Sequence, residues 1–239
     1  MAKKINKFAN YSATDITALA LQVYRKQGFI RSGEGYTKVD GTKKTVIEDN
    51  KTVINALVEN GSRAEALMPD AKVIIDKFNG KLMMKKFGGD LKSFEKGLAD
   101  ALNAQELSNF HVSVLASLPH MHNIDRKRAE VEDRYEKLRA SSKYFGDTRK
   151  RYDVAVEVID VKFIQSSNVY MITTVHNQED VIKFWWRDQP DLSDILDGKV
   201  INIRGTVNKH EISKYTRCKE TMFNSCLLYT SPSPRDPIG

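Results

Sequence analysis

The spacing of hydrophobic positions changes near residue 142. Before it, apolar residues recur every three or four positions, the period of a helix; after it they alternate, the period of a strand. The first helix is predicted from Ser12-Ala-Thr-Asp15, a capping-box pattern, with Ile16, Leu19, Val23 and Tyr24 on one face and Gly28 closing it. Residues 31–45 carry Gly, Lys and Thr without an apolar period and read as a loop or a small hairpin. Further helices are predicted over about 48–60, 69–87, 90–103 and 104–118, the last stopping before Pro119. A final helix over about 123–142 has Ile124, Val131, Tyr135 and Leu138 on one stripe and charge nearly everywhere else, so one face packs and the rest is wet.

Beyond Ser142, β-branched alternating segments predict strands at about 154–164, 169–176, 181–187, 200–210 and 218–225, with a Pro-introduced short helix over about 190–198. Three strands, a helix and two strands is the order of an OB-fold, a five-stranded Greek-key barrel whose second and third strands and fourth-to-fifth loop commonly hold oligonucleotides. The expected fold is α+β: a basic arm over 1–10, an α-helical domain over 11–141, and an OB barrel over 142–225 with its last strand cut short.

Alternation also sorts the third strand. Ile182, Phe184 and Trp186 face the core, while Val181, Lys183, Trp185 and Arg187 face outward and place an indole between two cations. That pairing suits single-stranded nucleic acid, the ring stacking on a base and the cations meeting phosphates. The other reading is that the helical part covers Trp185. In the fourth strand Arg204 points outward, and Gly205 marks a bend or bulge. Residues 209–219 read as a basic loop with Lys209, Lys214, Tyr215, Arg217 and Lys219.

Charge changes the picture only locally. The chain carries 38 Lys and Arg against 31 Asp and Glu, a modest excess that favours an acidic partner such as nucleic acid. From Arg126 to Arg139 the cations alternate with acids and read as a solvated helix face laced with ion pairs. Arg149, Lys150 and Arg151 follow Asp147 without another acid and are the better contact candidates. No apolar run is long enough to span a membrane and no leader pattern opens the chain, so the expected compartment is the cytoplasm. Cys218 and Cys226 make no disulfide framework or zinc spacing, so no cofactor is expected.

Gly205-Thr-Val-Asn-Lys-His-Glu211, then Ser213-Lys-Tyr-Thr and Lys219-Glu-Thr-Met-Phe223, resemble a pattern of bacteriophage-type OB-domain proteins, as do Ser142-Lys-Tyr-Phe-Gly146 and Lys150-Arg151 upstream. The resemblance spans about 142–225 and departs at Arg217, where the pattern has a turn glycine. It implies single-stranded DNA binding, or an accessory role in phage replication or recombination. A second resemblance concerns the tail. Residues 226–236 match the translation of a transposase-type library adapter, and Pro232, Pro234 and Pro237 crowd there. The natural chain is therefore expected to continue past Ser225 with other residues.

Enzyme chemistry finds no pattern. The Gly33–Thr45 stretch lacks phosphate-loop spacing, and His111, His120 and His122 with Asp125 lack a ligand spacing, Pro119–His122 reading as a loop. The expectation is a non-catalytic binder of single-stranded nucleic acid, DNA before RNA, whose helical part holds a second copy or a replication partner. The alternatives are a phage structural protein whose barrel docks a partner and a fragment of a larger replication enzyme.

Overall fold

The computed structural model describes residues 6–40, 42–187 and 198–229. The chain forms two compact units that divide between Arg126 and Lys127. The first holds α1 (Ala13–Gln27), a hairpin of β1 (Tyr36–Asp40) and β2 (Lys43–Ile47), α2 (Asn50–Glu59), α3 (Met68–Phe87), α4 (Ser93–Asn103) and α5 (Asn109–Leu115). It also contains the start of α6 (Leu118–Ser141), which ends in the second unit. There β3 (Arg151–Ile164), β4 (Val169–His176), β5 (Asp180–Trp186), β6 (Val200–Ile212) and β7 (Lys219–Tyr229) follow.

Local chemistry sets the helix starts. Ser12 accepts from the Asp15 amide and the Asp15 carboxylate from the Ser12 amide, the reciprocal cap the sequence predicts. Asp49 caps α2 by accepting from the Thr52 amide. α6 begins five residues earlier than predicted, at Leu118. Pro119 lies in its first turn, where a missing N–H costs nothing, so Pro119–His122 is helix rather than loop. α1 is the centre of the first unit. Ile16, Thr17, Ala18, Leu19, Ala20, Leu21 and Val23 are all buried, more than the single face the period shows. Around it pack Phe8, Ile54, Ile74, Phe78, Leu98, Val112, Leu115 and Leu118. Each such side chain contributes roughly 1.5–3 kcal/mol by leaving water.

In the second unit the strands close into a barrel in the order β3-β4-β5-β7-β6 and back to β3, antiparallel except for the β5–β7 pair. This connectivity is OB-like. Its core is Val154, Val156, Val158, Ile172, Ile182, Phe184, Ile203, Val207 and Phe223; Trp186, the third residue of the inward set that alternation assigns on β5, packs against it partly buried. A bulge between Val158 and Asp160 turns Ile159 outward while Val158 stays inside. Gly205 stands where the register of β6 shifts. A Cβ there would lie 2.6 Å from the Phe223 ring and 2.8 Å from Cys226 Sγ, so no other residue fits without movement. β7 runs past Ser225 to Tyr229, so four residues of the adapter-like tail continue the strand against β6. The helix expected over about 190–198 falls almost wholly outside the described residues.

The second half of α6 belongs with the barrel. Val131, Tyr135 and Leu138, three of the four residues of the predicted stripe, pack on Ile159, Val175, Val181 and Cys218, all on the barrel's outer surface. Arg139 Nε donates to the Thr216 carbonyl at 2.9 Å and Cys218 Sγ to the Tyr135 carbonyl at 3.6 Å. Some of the other charges of this helix form ion pairs: Lys137 with Asp133, Arg139 with Glu132, and Arg134 with Glu157 on β3.

Candidate nucleic-acid interface

The outward positions of β5 split in two. Val181 packs against α6, and Lys183 beyond it is buried too. Lys183 is therefore no surface cation: its amine meets Glu220 Oε2 at 2.7 Å, with side-chain exposures of 9% and 2%. Glu220 Oε1 accepts a second bond from Thr216 Oγ1 at 2.6 Å. Two charges can remain in a dry site when each is paired and further hydrogen bonds use the remaining lone pairs. Two positions on, Trp185 is 47% exposed. Its cross-strand neighbour is Met171 on β4, whose own neighbour is Lys162 on β3. Lys162 pairs with Asp160 at 3.2 Å. Arg187 is exposed immediately after the strand.

The fourth-to-fifth connection is shorter than the sequence suggests. β6 runs to Ile212 and β7 starts at Lys219, which leaves a turn of residues 213–218 and places Lys209 and Lys219 on strands. Hydrogen bonds build this turn. Ser213 Oγ accepts from the amides of Tyr215 and Thr216, and the Ser213 carbonyl accepts from the Arg217 amide at 2.9 Å. Arg217 adopts φ 61°, the left-handed conformation that a glycine takes without strain, at the position where the resembled pattern has one. At the tip Tyr215 is 93% exposed. Lys214 and Arg217 beside it are exposed and form no ion pair among the described residues. The Lys219 amine lies 5.9 Å from the Tyr144 ring, which stacks on His210 with centroids 4.8 Å apart. Lys209 instead pairs with Glu211 at 2.6 Å. Cys218 has Arg217 and Lys219 as neighbours, yet its thiol is buried and burial pushes its pKa up, so the flanking cations do not activate it.

The remaining candidates sit elsewhere, on the β3–β6 seam. Arg204 Nε donates to Asp153 Oδ2 at 2.8 Å, so its charge is matched by an acid the sequence reading had not placed opposite it. Lys150 pairs with Asp147 at 2.7 Å, and the hydrogen bond between them raises the amine's pKa and lowers the carboxyl's. Arg149 holds φ 68° with its amide donating to the Val207 carbonyl, and Arg151 is exposed opposite Thr206.

The structure thus sorts the candidates into three groups rather than one surface. Parallel pairing sets Lys183 beside Met222, so Lys219 is level with the start of β5 and Trp185 lies about five residues further along. At about 3.3 Å per residue, the turn and the indole stand on the order of 17 Å apart along the barrel. Sequence reasoning missed one aromatic residue that joins the turn and two that lie on Trp186's side of the sheet rather than on Trp185's. Phe163 and Tyr170 pack at 4.9 Å and share a cross-strand row with Trp186 near the open end of β5; Tyr144 serves the turn. The bulge at Ile159 hides the phase of Phe163, and Tyr144 precedes the first strand, where alternation says nothing. No family model, curated protein or solved structure matches the chain.

Proposed function

We propose that the barrel binds single-stranded nucleic acid, without covalent chemistry, as the accessory module of a phage-type replication or recombination protein. The observation that carries this reading is Tyr215. A phenol ring 93% exposed at the tip of a hydrogen-bonded turn does nothing for the core, and it stands among Lys214, Arg217 and Lys219. A base stacks on such a ring while the cations neutralise phosphates. Trp185 and Arg187 offer the same chemistry further along β5, and a separation on the order of 17 Å fits the roughly 4–16 nucleotides one OB barrel takes. Arg204, Lys150 and Lys209 contribute less, because each already has a carboxylate partner.

Titration of the full chain into a fluorescent single-stranded oligonucleotide at low salt tests the reading. Tyr215→Ala is expected to weaken binding by about 1–3 kcal/mol, and Lys214→Ala to lower the slope of log affinity against log salt by about 1. Unchanged affinity in both variants overturns it.

A further inference from the structure

Outside the barrel, β1 and β2 form a two-stranded hairpin. Every residue of β1 and all of β2 but Ile47 are exposed. An isolated two-stranded ribbon is at best marginally stable, and this one displays apolar side chains: Val39 is 60% exposed, Val46 70% and Tyr36 54%. Cross-strand register places Thr37 with Val46 and Val39 with Lys44 on one face, and Tyr36 with Ile47, Lys38 with Thr45 and Asp40 with Lys43 on the other. Lys38, Lys43 and Lys44 form no ion pair among the described residues. The single acid of the ribbon, Asp40, stands at its turn end.

Its base, by contrast, is firmly held. Buried Asn50 donates from Nδ2 to the Gly28 carbonyl at 3.0 Å and accepts at Oδ1 from the Ile30 amide at 3.0 Å. Asp49 accepts from the Gly33 amide and from Thr52. Burial alone would raise the Asp49 pKa, and these hydrogen bonds outweigh it to lower the value, so the root is tightest with the carboxylate ionised.

We propose that this ribbon is an arm for double-stranded DNA. The major groove of B-form DNA admits a two-stranded ribbon. Val39 and Val46 supply the apolar contact that a thymine methyl takes, and the three lysines reach phosphates on the groove walls. The deep, narrow major groove of an A-form RNA duplex excludes the same ribbon. The inference goes beyond the barrel reading, since it concerns the other unit and a different ligand.

The test uses the full chain and three probes: a B-form DNA duplex, an RNA duplex of the same sequence and a single-stranded oligonucleotide. The variant Lys38→Gln/Lys43→Gln/Lys44→Gln touches only exposed side chains. It is expected to weaken DNA-duplex binding at least about tenfold and to lower the salt slope by up to about 3, with single-strand affinity unchanged. Val39→Ser/Val46→Ser, with all lysines kept, is expected to weaken the duplex complex without changing the salt slope. Duplex affinity equal in wild type and variants, absence of DNA-duplex binding, equal preference for the RNA duplex, or an equal loss on single strands overturns the proposal. If single-strand binding alone is missing while the duplex effects hold, the barrel reading fails and the arm stands.

Discussion

The two halves of β5 carry the same pattern and meet different surroundings. Val181, Lys183 and Trp185 are successive outward positions of one strand, yet the first packs against α6, the second is buried in an ion pair with Glu220, and the third is 47% exposed. Alternation fixes which side of the sheet a residue takes. It does not say what lies on that side, and only the cover decides whether a lysine is a surface cation or half of a buried ion pair. The barrel thus separates two tasks along one strand: the covered half anchors α6 and the 213–218 turn, and the open half offers aromatic and cationic surface.

The comparison breaks first at Glu220. Glu220→Ala leaves Lys183 charged, buried and unpaired and is expected to cost about 3–5 kcal/mol in denaturant unfolding. Replacing both partners, Lys183→Met with Glu220→Leu, should recover most of that loss, which separates the charge effect from packing. At the open end the same measurement should barely move. Trp185→Ala is expected to change stability by less than about 1 kcal/mol while weakening oligonucleotide binding by about 1–3 kcal/mol. A large unfolding penalty for Trp185→Ala would mean the indole is a packing residue after all.

The smallest expected effect is a pH dependence at the covered end. Burial raises the Asp180 pKa at the start of β5, the nearby Glu179 adding to it and His176 opposing it. A carboxyl with a raised folded-state pKa favours the unfolded chain once it ionises, so stability falls as pH rises from the unfolded value of about 3.9 through the raised folded one. Asp180→Asn should therefore be more resistant to urea than wild type at neutral pH and equal to it at acid pH. A difference that persists in acid would assign the effect to something other than this ionisation.

Much of this was legible along the chain. The Ser12–Asp15 cap, the stripe at Val131, Tyr135 and Leu138, the five strands and the inward set Ile182, Phe184 and Trp186 follow from spacing alone, because caps and faces are local properties. What escaped depends on pairs of distant segments. The Lys183–Glu220 pair joins β5 to β7, the Arg204–Asp153 pair joins β6 to β3, and neither register is written in one segment. The stripe on α6 shows that a face packs without showing against what. The bulge at Ile159 shifts the phase of β3, and so hid Phe163 from the aromatic row it completes. The turn at 213–218 was read too long because Lys209 and Lys219, polar and exposed, give a strand no apolar signal.

Cross-linking reads the place of contact directly. The full chain is irradiated on a photoreactive single-stranded oligonucleotide, and the adducts are located by mass spectrometry. Adducts on Tyr215 and Trp185, lost as salt is raised, are the expected result. Adducts confined to the Arg149–Arg151 and Arg204 seam, or no adduct at low salt, would contradict it.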